Sequence, residues 1–194
     1  MKSITLNNNT PPALLLIDIQ QGFEDIAYWG GGRNNPQAEE LAGKLLTIWR
    51  ARKWPRFHIQ HCSTTPESPL HPSHQGNAFH PAVTPLSDEP IIQKNVNSGF
   101  IGTSLKEQLE ALNIEDLIIV GLTTDHCVST TTRMAGNYGY NVYLIEEAIA
   151  TFDKVGVKGE SYPAQLIHDT ALASLNGEFG KVISVEELYG VLEV

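Results

Sequence analysis

The sequence predicts an α/β fold in which a six-stranded, mostly parallel sheet lies between two layers of helices. Apolar runs and segments with helical periodicity alternate six times along the chain, without internal repeats or a linker. The run at 13–17 and, after Asp116, the run at 117–121 are apolar without alternation, which is typical of parallel strands that are buried on both faces. Strands that alternate with helices form right-handed crossovers, so a three-layer α/β/α sandwich of Rossmann-like topology follows. The 194 residues are therefore expected to form one domain, 1–194.

Each element has its own signal in the sequence. The strands are predicted at 13–17, 56–60, 91–93, 116–121, 141–145 and 182–183. Asn35 is a good helix cap and Pro36 suits the first helical position, which predicts a helix that extends to about residue 52. Capping boxes at 104–107 and 184–187 predict two more helix starts. Periodic apolar residues predict the other two helices, at about 125–137 and 163–175.

Two stretches lack periodicity and are predicted to be loops. Residues 27–35 carry Trp29 and three successive glycines, and their spacing fits no phosphate-binding motif, so a loop that covers a pocket is the better interpretation. Residues 61–90 are rich in proline, and loops of this length are often functional. Histidines in or beside this stretch are His58, His61, His71, His74 and His80. No acidic residue stands at a convincing spacing from them, so local packing is favoured over a metal site.

Composition limits the class of partner. The formal net charge is −9 and no run of Lys or Arg is present to neutralise phosphates, so nucleic acid is not an expected partner. No apolar run approaches the length of a membrane span, and the first residues lack the apolar core of a signal peptide. Cys62 and Cys127 are too few for a disulfide framework. A cytoplasmic protein is therefore expected.

Three reactive side chains each follow a predicted strand. Cys127 comes shortly after 116–121 and opens a predicted helix, whose N-terminal N–H groups would favour the thiolate; a buried structural cysteine is the alternative. Asp18 and Lys94 come directly after the first and third strands. If these strands are neighbours, the three side chains meet at one edge of the sheet. Lys94 would then lower the pKa of the thiol, and Asp18 would accept its proton.

The motifs around these residues resemble those of a known family. Leu16-Ile17-Asp18-Ile19-Gln20 with Phe23 comes first, Lys94 with Ser98-Gly99-Phe100 second, and Gly121-Leu122-Thr123-Thr124-Asp125-His126-Cys127-Val128 third. In order and spacing the chain is similar over nearly its whole length to the isochorismatase-like cysteine hydrolases. These include nicotinamidases, N-carbamoylsarcosine amidohydrolases, ureidoacrylate amidohydrolases and streptothricin hydrolase.

The resemblance implies a catalytic triad of Asp18, Lys94 and Cys127. It also implies a cis peptide bond between Leu122 and Thr123, with the backbone N–H groups of Thr123 and Cys127 forming the oxyanion hole. The implied reaction is hydrolysis of a C–N bond in a small amide, carbamoyl or ureido compound through a thioester. A homodimer or larger homo-oligomer is implied as well.

Departures from the family pattern restrict the expected substrate and cofactors. Nicotinamidases hold a metal with an Asp-x-His pair after the second strand, and the matching positions here are near Cys62 and Thr64. No metal or other cofactor is therefore expected, and nicotinamide is a weaker candidate substrate. Isochorismatases proper lack the cysteine, so Cys127 favours C–N hydrolysis over vinyl-ether hydrolysis. The alternatives are a vinyl-ether hydrolase of the isochorismatase type and a catalytically silent binding or assembly member. A nucleotide-binding oxidoreductase would need a glycine fingerprint after Ile17, which is absent.

Aromatic and histidine side chains beside the three motifs are candidates for the walls of a substrate pocket. They are Phe23, Trp29, His61, Phe100 and His126. Core packing or a surface position would explain each of them equally well.

Overall fold

A six-stranded parallel sheet runs through the computed structural model, which describes residue 6 and residues 10–194. Its strands, in chain order, are β1 (Ala13–Ile17), β2 (Arg56–His61), β3 (Ile91–Lys94), β4 (Asp116–Leu122), β5 (Asn141–Ala150) and β8 (Lys181–Ile183). Their order across the sheet is β3-β2-β1-β4-β5-β8, and every neighbouring pair is parallel. The predicted fold class is confirmed.

The helices cover both faces of this sheet. They are α1 (Ile26–Trp29), α2 (Ala38–Arg52), α3 (Leu105–Ala111), α4 (Ser129–Asn137), α5 (Ala164–Leu175) and α6 (Val185–Leu192). One apolar core joins alternate residues of β1 and β4 to α2 and α6, and the second joins the other alternate residues to α3, α4 and α5. Every residue of β1 and β4 is buried as a result, which explains why both strands are apolar apart from Asp116 at the start of β4.

Several local predictions need correction. The helix expected to begin at Pro36 begins at Ala38, and the loop at 27–35 overlaps the single turn of α1. Ser104 precedes α3 as predicted, but its side chain makes no capping bond and accepts a hydrogen bond from Gln108 instead. The box at 184–187 does form, with both reciprocal bonds present. The fifth strand extends past the expected residue 145 to Ala150, because buried residues resume after the acidic pair at 146–147.

A small antiparallel pair of strands was not predicted. It consists of β6 (Lys154–Val155) and β7 (Ser161–Tyr162), which follow the end of β5. Each strand has only two residues, which is too short for a period-2 pattern to show in the sequence. The pair holds Lys154 at the carboxyl edge of the main sheet.

The long loop between β2 and β3 is fixed by buried polar groups rather than by extended secondary structure. Glu89, with a fully buried side chain, pairs with Arg50 at 2.7 Å, Arg56 at 2.5 Å and His58 at 2.8 Å. Asn77 donates to the carbonyls of His61 and Leu70 at 2.9 and 2.7 Å. These bonds tie the loop to the end of β2. Within the described residues, no helix is long and apolar enough to cross a bilayer.

Candidate active site

The three predicted residues meet at the carboxyl edge of the sheet. Asp18 follows β1, Lys94 ends β3, and Cys127 comes five residues after the end of β4. Strands β1 and β4 are neighbours, but β2 lies between β1 and β3. The three strands are therefore not all adjacent, which was the condition for their side chains to meet, but the long Lys94 side chain spans the intervening strand and reaches the other two groups.

Lys94 is the centre of the cluster. Its Nζ lies 2.6 Å from Asp18 Oδ2 and 3.3 Å from Cys127 Sγ. Nζ also lies 3.0 Å from His61 Nδ1, and His61 is the residue opposite Lys94 in the pairing of β2 with β3. The side chains of Asp18 and Lys94 are fully buried. The other Asp18 oxygen, Oδ1, is also buried and accepts no hydrogen bond from the described residues.

The electrostatic state of Cys127 differs from the sequence expectation. Burial and then the negative charge of Asp18 raise the pKa of the Cys127 thiol, and the charge of Lys94 opposes this only in part. Burial disfavours the charge on Lys94, but the negative charge of Asp18 and the hydrogen bonds to Asp18 and Cys127 outweigh it and raise the pKa of Lys94. The resting site therefore holds an ion pair between Asp18 and Lys94 beside a neutral thiol.

The segment from β4 to α4 places the sulfur. Gly121 has φ +128°, a conformation that strongly favours glycine, and the Leu122–Thr123 peptide bond is cis. A wide helical turn, Thr124–Val128, carries Cys127, and α4 begins only at Ser129. The predicted helix start at 125 is therefore a turn in which Val128 N–H reaches back five residues to the Thr123 carbonyl.

A cavity of about 120 Å³ opens over the sulfur. Four of the five candidate wall residues line it: Phe23, Trp29, His61 and His126. Phe100 does not, because its ring packs into the core against Tyr138 and Tyr140, with centroids 5.4 and 6.2 Å away.

The chain matches the isochorismatase domain over residues 12–187. It is 44% identical over 176 residues to the isochorismatase family protein YrdC of Bacillus subtilis. The aligned region covers 91% of this chain and 93% of that protein. A solved isochorismatase-family protein from Chromobacterium violaceum superposes with a TM-score of 0.93 at 40% identity, covering 100% of this chain and 98% of the other. This chain belongs to the isochorismatase family of hydrolases. A nicotinamidase of Acinetobacter baylyi is a more distant relative, 29% identical over 178 residues, or 74% of this chain and 83% of that protein.

This isochorismatase-family site has pocket walls of two kinds. On the apolar wall, the Trp29 ring lies 4.7 Å from that of Phe23, and its indole N–H donates to the Gly22 carbonyl at 2.8 Å. The polar wall includes residues that the sequence argument missed, Asn97 and Lys154; Leu70 was missed on the apolar side. Asn97 follows Lys94 closely enough to have been found from sequence, whereas Lys154 and Leu70 come from segments without a pattern.

Three potential metal ligands of this site surround the Lys94 ammonium. One ligand atom each from Asp18, His61 and Cys127 lies within 4.8 Å of the other two. The Lys94 ammonium is within 3.3 Å of all three atoms, so a metal ion here would meet its positive charge at short range. The donor set therefore fits an ammonium better than a divalent cation.

Proposed function

We propose that this protein is a cysteine hydrolase that cleaves an amide, carbamoyl or ureido C–N bond of a small molecule through a thioester on Cys127. The observation that carries the proposal is the position of the Lys94 ammonium, within hydrogen-bond distance of both Asp18 and Cys127. A thiol nucleophile with an adjacent carboxylate base and a fixed positive charge is an arrangement that can carry out acyl transfer through a thioester. The name of the nicotinamidase relative, which indicates amide hydrolysis, also supports a C–N bond.

The first step is attack on the substrate carbonyl. The thiol is neutral at rest because its pKa is raised, so its proton must leave as the sulfur attacks. Asp18 Oδ1 takes that proton, since it is buried and accepts no hydrogen bond from the described residues. Lys94 remains charged and stabilises the carboxylate before transfer and the sulfur during it.

Backbone N–H groups stabilise the oxyanion that attack creates. The N–H groups of His126 and Val128 both donate to the Thr123 carbonyl at 3.2 Å and are therefore engaged. The proposed donors to the substrate oxygen are the N–H of Thr123, which belongs to the cis peptide, and the N–H of Cys127, which lies in the wide turn. Loss of such a donor typically lowers the rate by about 10²–10³.

Collapse of the adduct breaks the C–N bond, and the proton held by Asp18 moves to the departing nitrogen. The acyl group stays on Cys127 as a thioester. Water then attacks the thioester carbonyl and gives a proton to Asp18. The C–S bond breaks, the acid leaves, and Asp18 returns the proton to the Cys127 sulfur, which restores the thiol and the carboxylate. The small cavity and its aromatic wall favour a compact substrate with an apolar body.

The test is ammonia release from a panel of primary amides, ureas and N-carbamoyl compounds, with Cys127→Ala measured in parallel. Wild-type protein should release ammonia from a subset of the panel, and the variant should not. Circular dichroism and thermal unfolding check that Cys127→Ala is folded. Activity that survives in the folded variant would disprove the thioester route. If no compound releases ammonia, secondary amides should be tested for acid release before the proposal is abandoned.

A further inference from the structure

His61 contacts the proposed triad without belonging to it. Its Nδ1 lies 3.0 Å from Lys94 Nζ and 3.9 Å from Asp18 Oδ2. Its side chain is 17% exposed, and it lines the cavity over Cys127. One edge of the ring therefore faces the buried ion pair, and the other is available to the pocket.

The contact with Lys94 fixes where the ring proton sits. An ammonium has three donors and no acceptor, so His61 Nδ1 must accept. Asp18 Oδ2, Cys127 Sγ and His61 Nδ1 are then one acceptor for each of the three protons of Lys94. A neutral imidazole that accepts at Nδ1 carries its hydrogen on Nε2.

The ring is expected to be neutral near pH 7. Burial and then the charge of Lys94 lower the pKa of His61, and the charge of Asp18 opposes them only in part. A protonated ring would also place a second cation 3.0 Å from Lys94 Nζ.

The backbone of His61 is held from two sides. Its N–H donates to Gln20 Oε1 at 2.8 Å, and its carbonyl accepts from Gln20 Nε2 at 3.1 Å and from Asn77 Nδ2 at 2.9 Å. Gln20 is in turn tied to the Asn77 carbonyl at 2.8 Å. The imidazole is thus presented from a fixed point at the end of β2. Its Nε2 donates to no described residue, which leaves this N–H for the pocket.

We propose that His61 is a positioning and specificity residue of this site. Its Nδ1 holds the Lys94 ammonium between Asp18 and Cys127. Its Nε2–H donates to the bound substrate and selects amides that carry a second oxygen or nitrogen acceptor beside the scissile carbonyl. The substrate part of this inference rests on the proposed function; the Nδ1 contact with Lys94 does not.

The tautomer can be measured without any substrate. Long-range ¹⁵N–¹H correlation spectra of histidine-labelled protein at pH 7.5 should include a ring with a bare Nδ1 and a protonated Nε2 that disappears in His61→Asn. A His61 ring protonated at Nδ1, or at both nitrogens, would overturn the proposal. His71→Asn is the matched control, because His71 bonds to Ser73 on the exposed loop and does not line the pocket.

Two amide variants separate the roles of the two nitrogens. In His61→Asn the side-chain amide lies near the former Nδ1, and in His61→Gln it reaches toward the former Nε2. Iodoacetylurea serves as a probe, because its iodomethyl carbon can alkylate Cys127 and its urea carbonyl is a second acceptor beside the amide carbonyl. His61→Gln should lower the maximal inactivation rate by about 10- to 100-fold, the effect of losing a hydrogen bond to a charged group. His61→Asn should mainly raise the concentration needed for half-maximal inactivation, and His61→Leu should do both.

The outcomes distinguish this inference from the proposed function. If His61→Leu is folded and is inactivated like the wild type, the inference is wrong even if amide hydrolysis is found. If the tautomer and the split between the two variants are as expected but no amide is hydrolysed, the proposed function fails and the role of Nδ1 stands. Equal effects of the Asn and Gln variants on both constants would reduce His61 to a packing residue.

Discussion

At the scale of single residues, Cys127 is a buried cysteine whose side chain rests as a neutral thiol rather than a thiolate. Lys94 lies 3.3 Å from its sulfur, yet burial and the Asp18 carboxylate favour the protonated form. The positive charge of Lys94 is shared with that carboxylate, at 2.6 Å. Such a site needs a base to accept the thiol proton during attack. Asp18 Oδ1 is available for this, because no described residue donates a hydrogen bond to it.

The raised pKa gives a prediction about alkylation. Cys127 should react slowly with iodoacetamide at pH 7, and its rate should still be rising above about pH 8.5, the ordinary pKa of a thiol. Lys94→Met should slow the reaction at every pH, because it removes a positive charge 3.3 Å from the sulfur. Peptide mass spectrometry measures the rate at Cys127. Lys106→Met, on the exposed face of α3, should leave the profile unchanged. A plateau reached below pH 7 would contradict the neutral resting thiol.

At the scale of elements, the pairing of β1 with β4 leaves no room for a side chain at Gly121, where the site begins. Gly121 pairs with Ile17, and a Cβ on Gly121 would lie 2.0 Å from the Ile17 carbonyl oxygen. This glycine is required by both the lack of space and its positive φ.

Gly121→Ala should therefore lower the free energy of unfolding by more than about 3 kcal/mol, or prevent folding. Gly190→Ala is the matched control, because nothing lies within 4 Å of its added Cβ on α6. That variant should stabilise the protein by about 0.5–1 kcal/mol, since alanine favours a helix. Urea unfolding measures both. Equal stability of the two variants would refute the close approach of β1 and β4.

The Glu89 cluster gives a second prediction at this scale. Glu89→Gln should cost roughly 2–4 kcal/mol, because it leaves two arginines without their buried partner, although both reach solvent in part. Asp88→Asn, on the neighbouring residue with a side chain 75% exposed and 3.7 Å from Arg56, should change stability by less than about 0.5 kcal/mol. Chemical denaturation of the two variants checks this. A small effect of Glu89→Gln would mean that the cluster does not hold the 62–90 loop.

The sequence was informative where burial imposes a continuous pattern. Strands β1 and β4 are buried along their whole length, so their apolar runs could be recognised, and Asp18 and Cys127 could be found from their ends. The role proposed for His61 could not be found from the sequence. It depends on β2 lying between β1 and β3, and no local sequence pattern indicates the order of strands in a sheet. Phe100 stands close to Lys94 in sequence, but its ring turns into the core, and sequence proximity alone could not reveal that direction.

At the scale of the whole molecule, several histidines are kept neutral by burial. Burial is the main cause that lowers the pKa of His58, His61 and His168, each from an ordinary value of 6.5. The unfolded chain binds protons at these rings more readily than the folded protein does. The free energy of unfolding is therefore not reduced by these histidines above pH 6.5, and it falls as the pH drops below that value and the unfolded chain takes up protons.

The free energy of unfolding should accordingly decrease between pH 7.5 and pH 5. It should decrease further below about pH 4.5, where the lowered pKa values of Glu89 and Asp125 add to the loss. Urea midpoints across this range measure the trend. His168→Gln should flatten the decrease between pH 6.5 and 5, and His71→Gln should not. A stability that is constant or rises on acidification would contradict the burial argument.

The expected homo-oligomer stays a prediction, and light scattering coupled to gel filtration would measure it.

The reacting groups and several pocket walls come from different segments of the chain, and this affects how the protein could be redesigned. The groups proposed to react are held by the ends of β1, β3 and β4, whereas Trp29, Leu70 and Lys154 come from a single helical turn, a loop and a two-residue strand. These three lie outside the main sheet, although Leu70 is a buried core residue and its replacements should be of similar size. A library in which Trp29, Leu70 and Lys154 are randomised should therefore contain variants with new substrate preferences, and all of its variants retain Asp18, Lys94 and Cys127.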